Sequence, residues 1–183
     1  YNAYYKNLLN EGQDAFVEIA EEINLKDLTT SVSAIDFDYD NDGDLDIFVT
    51  NSDRTSYFYE NKTLNFNESS NLKWFKVALE GTTSNRDAIG TELTLTTTNR
   101  TVKRYYNGVG FLGQSLSPVH LGLNMDAEVL QLSIRWPLGL IETYENIDTN
   151  LTIKATEGEG DEDLSIEPSI KIERRTDQIS CTY

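Results

Sequence analysis

The segment Asp36-Phe-Asp-Tyr-Asp-Asn-Asp-Gly-Asp-Leu-Asp46 carries six aspartates within eleven residues. Carboxylates packed this closely repel one another, and each one favours protonation of its neighbours. A bound cation removes that repulsion because several carboxylates coordinate it together. The segment therefore predicts a metal-binding loop in the first third of the chain.

The spacing of the aspartates indicates which atoms would bind the ion. If Asp38 is position 1 of an oxygen-ligand loop, the next ligand positions are also aspartates, namely Asp40, Asp42, Asp44 and Asp46. Asp44 is expected to bind through its backbone carbonyl and the others through side chains, while Asp36 adds negative charge behind them. Hard oxygen ligands without a nearby Cys or His favour calcium over zinc or copper.

The segments on either side of the loop read as strands, not helices. Val32–Ile35 and Ile47–Thr50 are rich in the β-branched and aromatic residues that are typical of strands. Val49 stands at position 12, where the calcium loop of a helix-loop-helix hand has a bidentate Glu. The sequence thus predicts a strand-loop-strand site with a structural calcium ion. An acidic, solvated turn without an ion is the alternative.

The composition of the 183 residues is that of a soluble globular protein, with 38% hydrophobic residues and a net charge of -16. Such a surface repels phosphates, which argues against nucleic acid or anionic lipid as partners. No apolar run reaches the roughly 18 residues of a transmembrane helix, so no membrane insertion is predicted. Cys181 is the single cysteine and excludes an internal disulfide framework, and a start without Met or signal peptide indicates a fragment of a larger protein.

The first 70 residues carry an internal echo around the loop. Tyr57-Phe-Tyr-Glu-Asn61 repeats Tyr4-Tyr-Lys-Asn7 with a period of about 54 residues, which indicates one unit of a repeat array. A strand, an Asp-x-Asp-x-Asp-Gly-x-x-Asp loop and a second strand resemble FG-GAP (VCBS-type) repeats. That resemblance implies a four-stranded β-propeller blade with a calcium loop over residues 1–70. A single partial blade cannot close a propeller ring.

From residue 71 the pattern changes to short alternating strands separated by turn residues. In Val129–Trp136, Leu130, Leu132, Ile134 and Trp136 fall on one face of a strand, which is the period of a half-buried sheet. Seven such candidate strands predict a β-sandwich over residues 71–157. The fold class is therefore all-β, with a partial propeller blade followed by a sandwich.

Five stretches of this second half resemble the ASPIC/UnbV domain that follows FG-GAP repeats in cartilage acidic protein 1-like proteins. They are Trp74–Gly81, Ser84–Gly90, Gly108–Ser115, His120–Leu123 and Arg135–Gly139. Residues 158–183 open with an acidic linker and are expected to begin a further module, in which Ser169–Arg175 alternates like an edge strand.

Several side chains of the second half are candidates for ligand binding. The loop formed by Ser84, Asn85, Arg86 and Asp87 gathers polar groups that could grip a sugar or a peptide. Gln114, beside glycines, and Trp136, at a strand end, are further candidates, since an exposed indole stacks on sugar rings. The competing interpretation is structural for each of them: a loop satisfied by its own polar groups, a tight turn and a buried aromatic.

These features predict an extracellular calcium-binding module for adhesion or binding, with a protein or carbohydrate ligand on a cell surface or matrix. No nucleophile-base pair or cofactor loop is recognisable in the sequence, and His120 lacks an obvious Ser or Cys partner, so an enzyme is not predicted. The alternatives are an accessory domain of a carbohydrate-acting or biosynthetic enzyme, or a structural spacer.

Overall fold

The computed structural model describes residues 1–8, 12, 15–52, 55–63, 72–125, 128–160 and 165–166. These residues form strands and turns, which confirms the all-β class, and they contain no helix long and apolar enough to cross a lipid bilayer. The strands are β1 (Tyr5–Asn7), β2 (Phe16–Glu18), β3 (Ser31–Phe37), β4 (Asp46–Asn51), β5 (Tyr57–Tyr59), β6 (Lys73–Glu80), β7 (Thr91–Thr97), β8 (Thr101–Tyr106), β9 (Val109–Gly110), β10 (Gly113–Gln114), β11 (Val119–Asn124), β12 (Val129–Arg135), β13 (Ile141–Ile147), β14 (Leu151–Thr156) and β15 (Ser165–Ile166).

The first part of the chain forms two small antiparallel sheets. β1 pairs with β2, and β3, β4 and β5 form a three-stranded sheet in that order. The aspartate loop joins β3 to β4, where Phe37 is paired with Asp46. This sheet has three strands within the described residues, so the four-stranded blade implied by the resemblance stays a prediction.

The second part is a sandwich of two four-stranded sheets, in the orders β11-β6-β14-β15 and β13-β12-β7-β8. β6 pairs in parallel with β14, whereas the other strand pairs of the described residues are antiparallel. Inward side chains of both sheets form one core, including Phe75, Leu93, Leu121, Leu132 and Tyr144. The structure is therefore consistent with the predicted sandwich.

The alternation predicted for Val129–Trp136 fails at its first position. Leu132, Ile134 and Trp136 are buried, but Leu130 is 46% exposed and Val129 is buried in its place. The pairing of β12 with β7 shifts by one residue between Val129 and Gln131, as in a β-bulge. A one-residue shift moves the side chains before it to the opposite face, so the prediction for Leu130 was wrong.

Two short segments add small strands to the predicted set. The glycine-containing segment after β8 forms the hairpin β9-β10, in which Gly113 pairs with Gly110, and this agrees with the tight turn expected there. Ser165–Ile166 adds a strand beside β14. The predicted edge strand at Ser169–Arg175 lies outside the described residues. The domain limits 1–70, 71–157 and 158–183 stay predictions.

Strand β6 departs from the alternation of a sheet with one wet face. Phe75 and Val77 point into the sandwich core, yet Lys76 between them is also buried, at 5% exposure. A central strand loses its alternation when both of its faces are covered. The outer face of β6 must therefore carry another part of the chain, and that part is the aspartate loop.

Candidate metal site

The aspartate loop is a tight turn stabilised by its own carboxylates. The Gly43 N–H donates to Asp38 Oδ2 at 3.0 Å, and the Asp44 N–H donates to Asp42 Oδ1 at 3.0 Å. Asn41 and Gly43 adopt left-handed backbone conformations, with φ of 60° and 99°. Glycine and asparagine tolerate this region best, so the sequence suits the turn.

Three carboxylates of the loop converge. Asp38, Asp40 and Asp42 each offer an oxygen, and these oxygens lie within 4.8 Å of one another. The Asp38 side chain is only 3% exposed, and its Oδ1 has no hydrogen-bond partner among the described residues. A buried carboxylate oxygen without a donor is costly, so this atom fits a bound cation. The all-oxygen donor set suits calcium.

The electrostatics of the loop also favour a cation. The pKa of Asp42 is raised to about 6, first by burial and also by the negative charges of Asp44, Asp40 and Asp38, although the hydrogen bond from the Asp44 N–H acts in the opposite direction. The ionised carboxylates of this loop therefore repel one another at neutral pH. A positive ion placed among them relieves that repulsion.

The remaining loop aspartates have different surroundings. Asp46 is 1% exposed, and its carboxylate accepts the backbone N–H groups of Tyr39 and Asn61, each at 2.8 Å. Burial raises the pKa of Asp46, and these two hydrogen bonds oppose the rise. Asp46 and the side chain of Asp44 lie outside the group of three converging carboxylates, so their predicted ligand roles stay predictions. Asp36 is exposed on β3.

The loop docks on the outer face of the sandwich through three contacts. Lys76 Nζ on β6 forms an ion pair with Asp38 Oδ2 at 2.6 Å, with both side chains buried. His120 Nε2 on β11 donates to the Gly43 carbonyl at 2.7 Å. A Cβ added to Gly43 would stand 1.8 Å from Trp74 Nε1, so the indole lies directly against the glycine. The metal-site candidate is thus part of an interface between the two halves.

Sequence reasoning missed Lys76 and Trp74 as parts of this site. The run Trp74-Phe-Lys-Val-Ala-Leu79 has large or apolar side chains on both strand faces, which is the signal of a strand covered on both sides. His120, which lacks an obvious Ser or Cys partner in the sequence, is held by its hydrogen bond to the Gly43 carbonyl.

The candidate ligand-binding loop after β6, which contains Ser84 to Asp87, forms hydrogen bonds within the protein. The buried carboxylate of Glu157 accepts the N–H groups of Thr82, Thr83 and Ser84 at 2.7 to 3.0 Å, and the Ser84 hydroxyl as well. Burial alone would raise the pKa of Glu157, but the hydrogen bonds from Ser84 and its two neighbours hold it below its usual value. The geometry therefore favours the structural interpretation of this loop.

The neighbouring candidates of that loop are all exposed and differ in their contacts. The amide of Asn85 donates to the Ile89 carbonyl and accepts the Ile89 N–H, both at 2.8 Å. Arg86 is 87% exposed and lies 3.8 Å from Glu80, and Asp87 is also exposed. The Asn85 side chain is thus committed to the loop, whereas Arg86 and Asp87 remain accessible.

The last two candidates, Trp136 and Gln114, have different surroundings. Trp136 is 1% exposed in the sandwich core, where its Nε1–H donates to Glu142. Such burial leaves no ring face for stacking on a sugar. Gln114 is exposed on the small hairpin, opposite Val109.

A cleft of about 1110 Å³ lies between the sheet of β3, β4 and β5 and the sandwich. It lies beside the aspartate loop and reaches strands β3, β6 and β8. Its lining combines aromatic, amide and charged groups, including Asp36, Trp74, Arg104, Tyr105, Asn107 and Asn150. None of the predicted ligand candidates of the second half lies in this lining.

We expect Gly43→Ala to weaken the docking of the loop. The new methyl group meets the Trp74 indole and also occupies a left-handed backbone position. Gly139→Ala is the matched control, because Gly139 has a similar φ of 96° but nothing within 4 Å of its added Cβ. The control should lose about 1–2 kcal/mol of unfolding free energy in urea, and Gly43→Ala clearly more. Equal losses would contradict a steric role for Trp74.

We expect Glu157→Gln to lower the unfolding free energy by about 1.5–3 kcal/mol at pH 7, because a charged acceptor of several N–H groups is lost. The pKa of Glu157 is lower in the folded protein, so its stabilisation is complete above the ordinary value of 4.5 and is lost as the pH falls through the folded value. Denaturation curves from pH 7 to 3 should therefore converge at acid pH. Glu159→Gln, at an exposed position, should match the wild type throughout.

Comparison with known proteins identifies one family. No curated protein matches the chain. Residues 81–162 match the model of the family described as ASPIC and UnbV, and this stretch contains β7 to β14 and Glu157. The match confirms the ASPIC/UnbV part of the resemblance, and the FG-GAP part stays a prediction. Residues 81–162 are thus similar to an ASPIC/UnbV domain, which indicates an accessory module of a larger protein.

Proposed function

We propose that this chain is a calcium-dependent binding module of a larger extracellular protein, in which an FG-GAP-type loop is fixed on an ASPIC/UnbV-like sandwich. The observations that carry the proposal are the convergence of Asp38, Asp40 and Asp42 and the buried Asp38 Oδ1, which has no hydrogen-bond donor among the described residues. Calcium is the cation that best suits several carboxylates and a carbonyl in a flexible loop.

In this proposal the ion has a structural role. Asp38, Asp40 and Asp42 hold it through their side chains, Asp44 through its backbone carbonyl, and Asp46 completes the site. Position 12 is Val49, a buried residue of β4, so no bidentate Glu closes the loop. A site with fewer charged ligands binds weakly, in the range typical of extracellular modules. Calcium outside cells is concentrated enough to fill such a site.

The binding surface in this proposal is the cleft beside the loop. Its exposed Tyr105 and its amide and charged groups fit a carbohydrate, which is recognised by aromatic stacking together with hydrogen bonds to hydroxyls. A protein ligand is the alternative. Because the loop forms one wall of the cleft, a structural ion would also set the shape of the binding surface.

Calcium should raise the melting temperature of the wild type. With a dissociation constant of about 0.1 mM, 1 mM calcium stabilises the fold by roughly 1.4 kcal/mol, which corresponds to about 3–6 °C for a chain of this size. Thermal melts in calcium and in chelator measure the shift. Asp42→Ala should abolish it, and Asp87→Ala, at an exposed carboxylate outside the loop, should retain it. Equal melting temperatures of the wild type in both buffers would contradict the proposed calcium site.

A glycan array probed in calcium tests the cleft. We expect selected oligosaccharides to bind without being hydrolysed, and Tyr105→Ala to weaken that binding about tenfold through lost stacking. Tyr5→Ala is the matched control, because Tyr5 is equally exposed, at 60% against 65% for Tyr105, but lies outside the cleft. Hydrolysis of a bound glycan would favour an enzyme, and an array without binding would exclude the carbohydrate ligand.

A further inference from the structure

The ion pair between Lys76 and Asp38 is unusual in its burial. The two side chains are 7% and 3% exposed, and Nζ lies 2.6 Å from Oδ2. Lysine is almost never buried unless it is paired, because removing an ammonium from water is costly. The same sheet face carries an ordinary pair for comparison, Lys154 with Glu80 at 2.5 Å, in which both side chains are about one-third exposed.

The partner of Lys76 is the first ligand of the candidate metal loop. Asp38 Oδ2 accepts both the ammonium and the Gly43 N–H, whereas Oδ1 has no hydrogen-bond partner among the described residues. Lys76 also lies over the Trp74 ring, with Nζ 4.8 Å from the ring centroid. The ammonium is therefore held in place from two sides, at the edge of the carboxylate group where a metal ion would bind.

We propose that Lys76 acts as a resident cation of the loop, which lowers its calcium affinity and keeps the metal-free loop docked on the sandwich. This inference rests on the proposed calcium site. An ammonium that shares a carboxylate with a divalent ion repels that ion across a short, poorly solvated distance. It also neutralises part of the charge of the loop when no metal is bound, so the carboxylate of Asp38 tolerates burial against β6.

The arrangement makes calcium binding and loop docking interdependent. When calcium binds Asp38, the attraction between Asp38 and Lys76 weakens, and by reciprocity the ion pair weakens calcium binding by the same factor. The sandwich thereby sets the calcium affinity of a loop that belongs to the other half of the chain. A loop of the same sequence without the lysine would bind calcium more tightly.

Isothermal titration of calcium into the metal-stripped chain tests the proposal with three variants. Lys76→Met removes the charge but keeps an apolar stem of similar length, and should bind calcium at least tenfold more tightly than the wild type. Lys76→Arg keeps the charge and should stay within about threefold of the wild type. Lys154→Met, which removes a lysine from the same sheet face, should leave the affinity unchanged.

If Lys76→Met binds calcium no more tightly than the wild type, or if Lys76→Arg binds it as tightly as Lys76→Met, the charge of Lys76 does not set the affinity, although the calcium site itself remains supported. If Lys76→Met binds calcium and the wild type does not, the role of the charge is strongly supported. Absence of binding by the wild type and by every variant would remove the proposed calcium site and this inference together. If metal-free Lys76→Met unfolds, its apparent constant also contains the free energy of folding, and melting temperatures measured at increasing calcium concentrations separate the two contributions.

Discussion

The buried contact between Asp38 and Lys76 is the constraint on which the arrangement of the two halves depends. Burying two opposite charges is favourable only when their geometry is good and further hydrogen bonds satisfy the remaining atoms. Here the Gly43 N–H serves the carboxylate and the Trp74 ring supports the ammonium. The close approach also needs a residue without a side chain at position 43. The charge pair, the packing of Gly43 against Trp74 and the hydrogen bond from His120 therefore hold the loop on the sheet together.

Local pattern was sufficient to predict most strands. The strands predicted at Val32–Ile35 and Ile47–Thr50 lie within β3 and β4. The all-β class follows from β-branched and aromatic composition in the first half and from period-two alternation in the second. The failure at Leu130 has a local cause, because a bulge changes which face a side chain occupies without changing the composition of the strand. Periodicity cannot reveal such a shift, since the pairing partner determines it.

The convergence of the carboxylates was predictable from the sequence, and their surroundings were not. The spacing of the aspartates identified Asp38, Asp40 and Asp42, which converge in the structure. Their contact with β6 joins residues 38 positions apart through a charge pair, and no local pattern encodes such a contact. Likewise Glu157 reaches the loop at Ser84 from 73 residues away, and its acidic neighbours in sequence give no sign of its burial. Long-range polar contacts are thus the part of the structure that a single sequence does not predict.

The parallel pairing of β6 with β14 has a consequence for the order in which the chain folds. β6 needs β11 and β14 as its neighbours, and these strands are synthesised about 45 and 75 residues after it. The strand pairing within the aspartate hairpin is local, so the hairpin can close as soon as β4 and β5 emerge from the ribosome. The hairpin is therefore complete well before the sheet of β11, β6 and β14, on which it docks, has formed. During that interval its clustered negative charge stays in solvent, where water and ions in the surrounding fluid screen it.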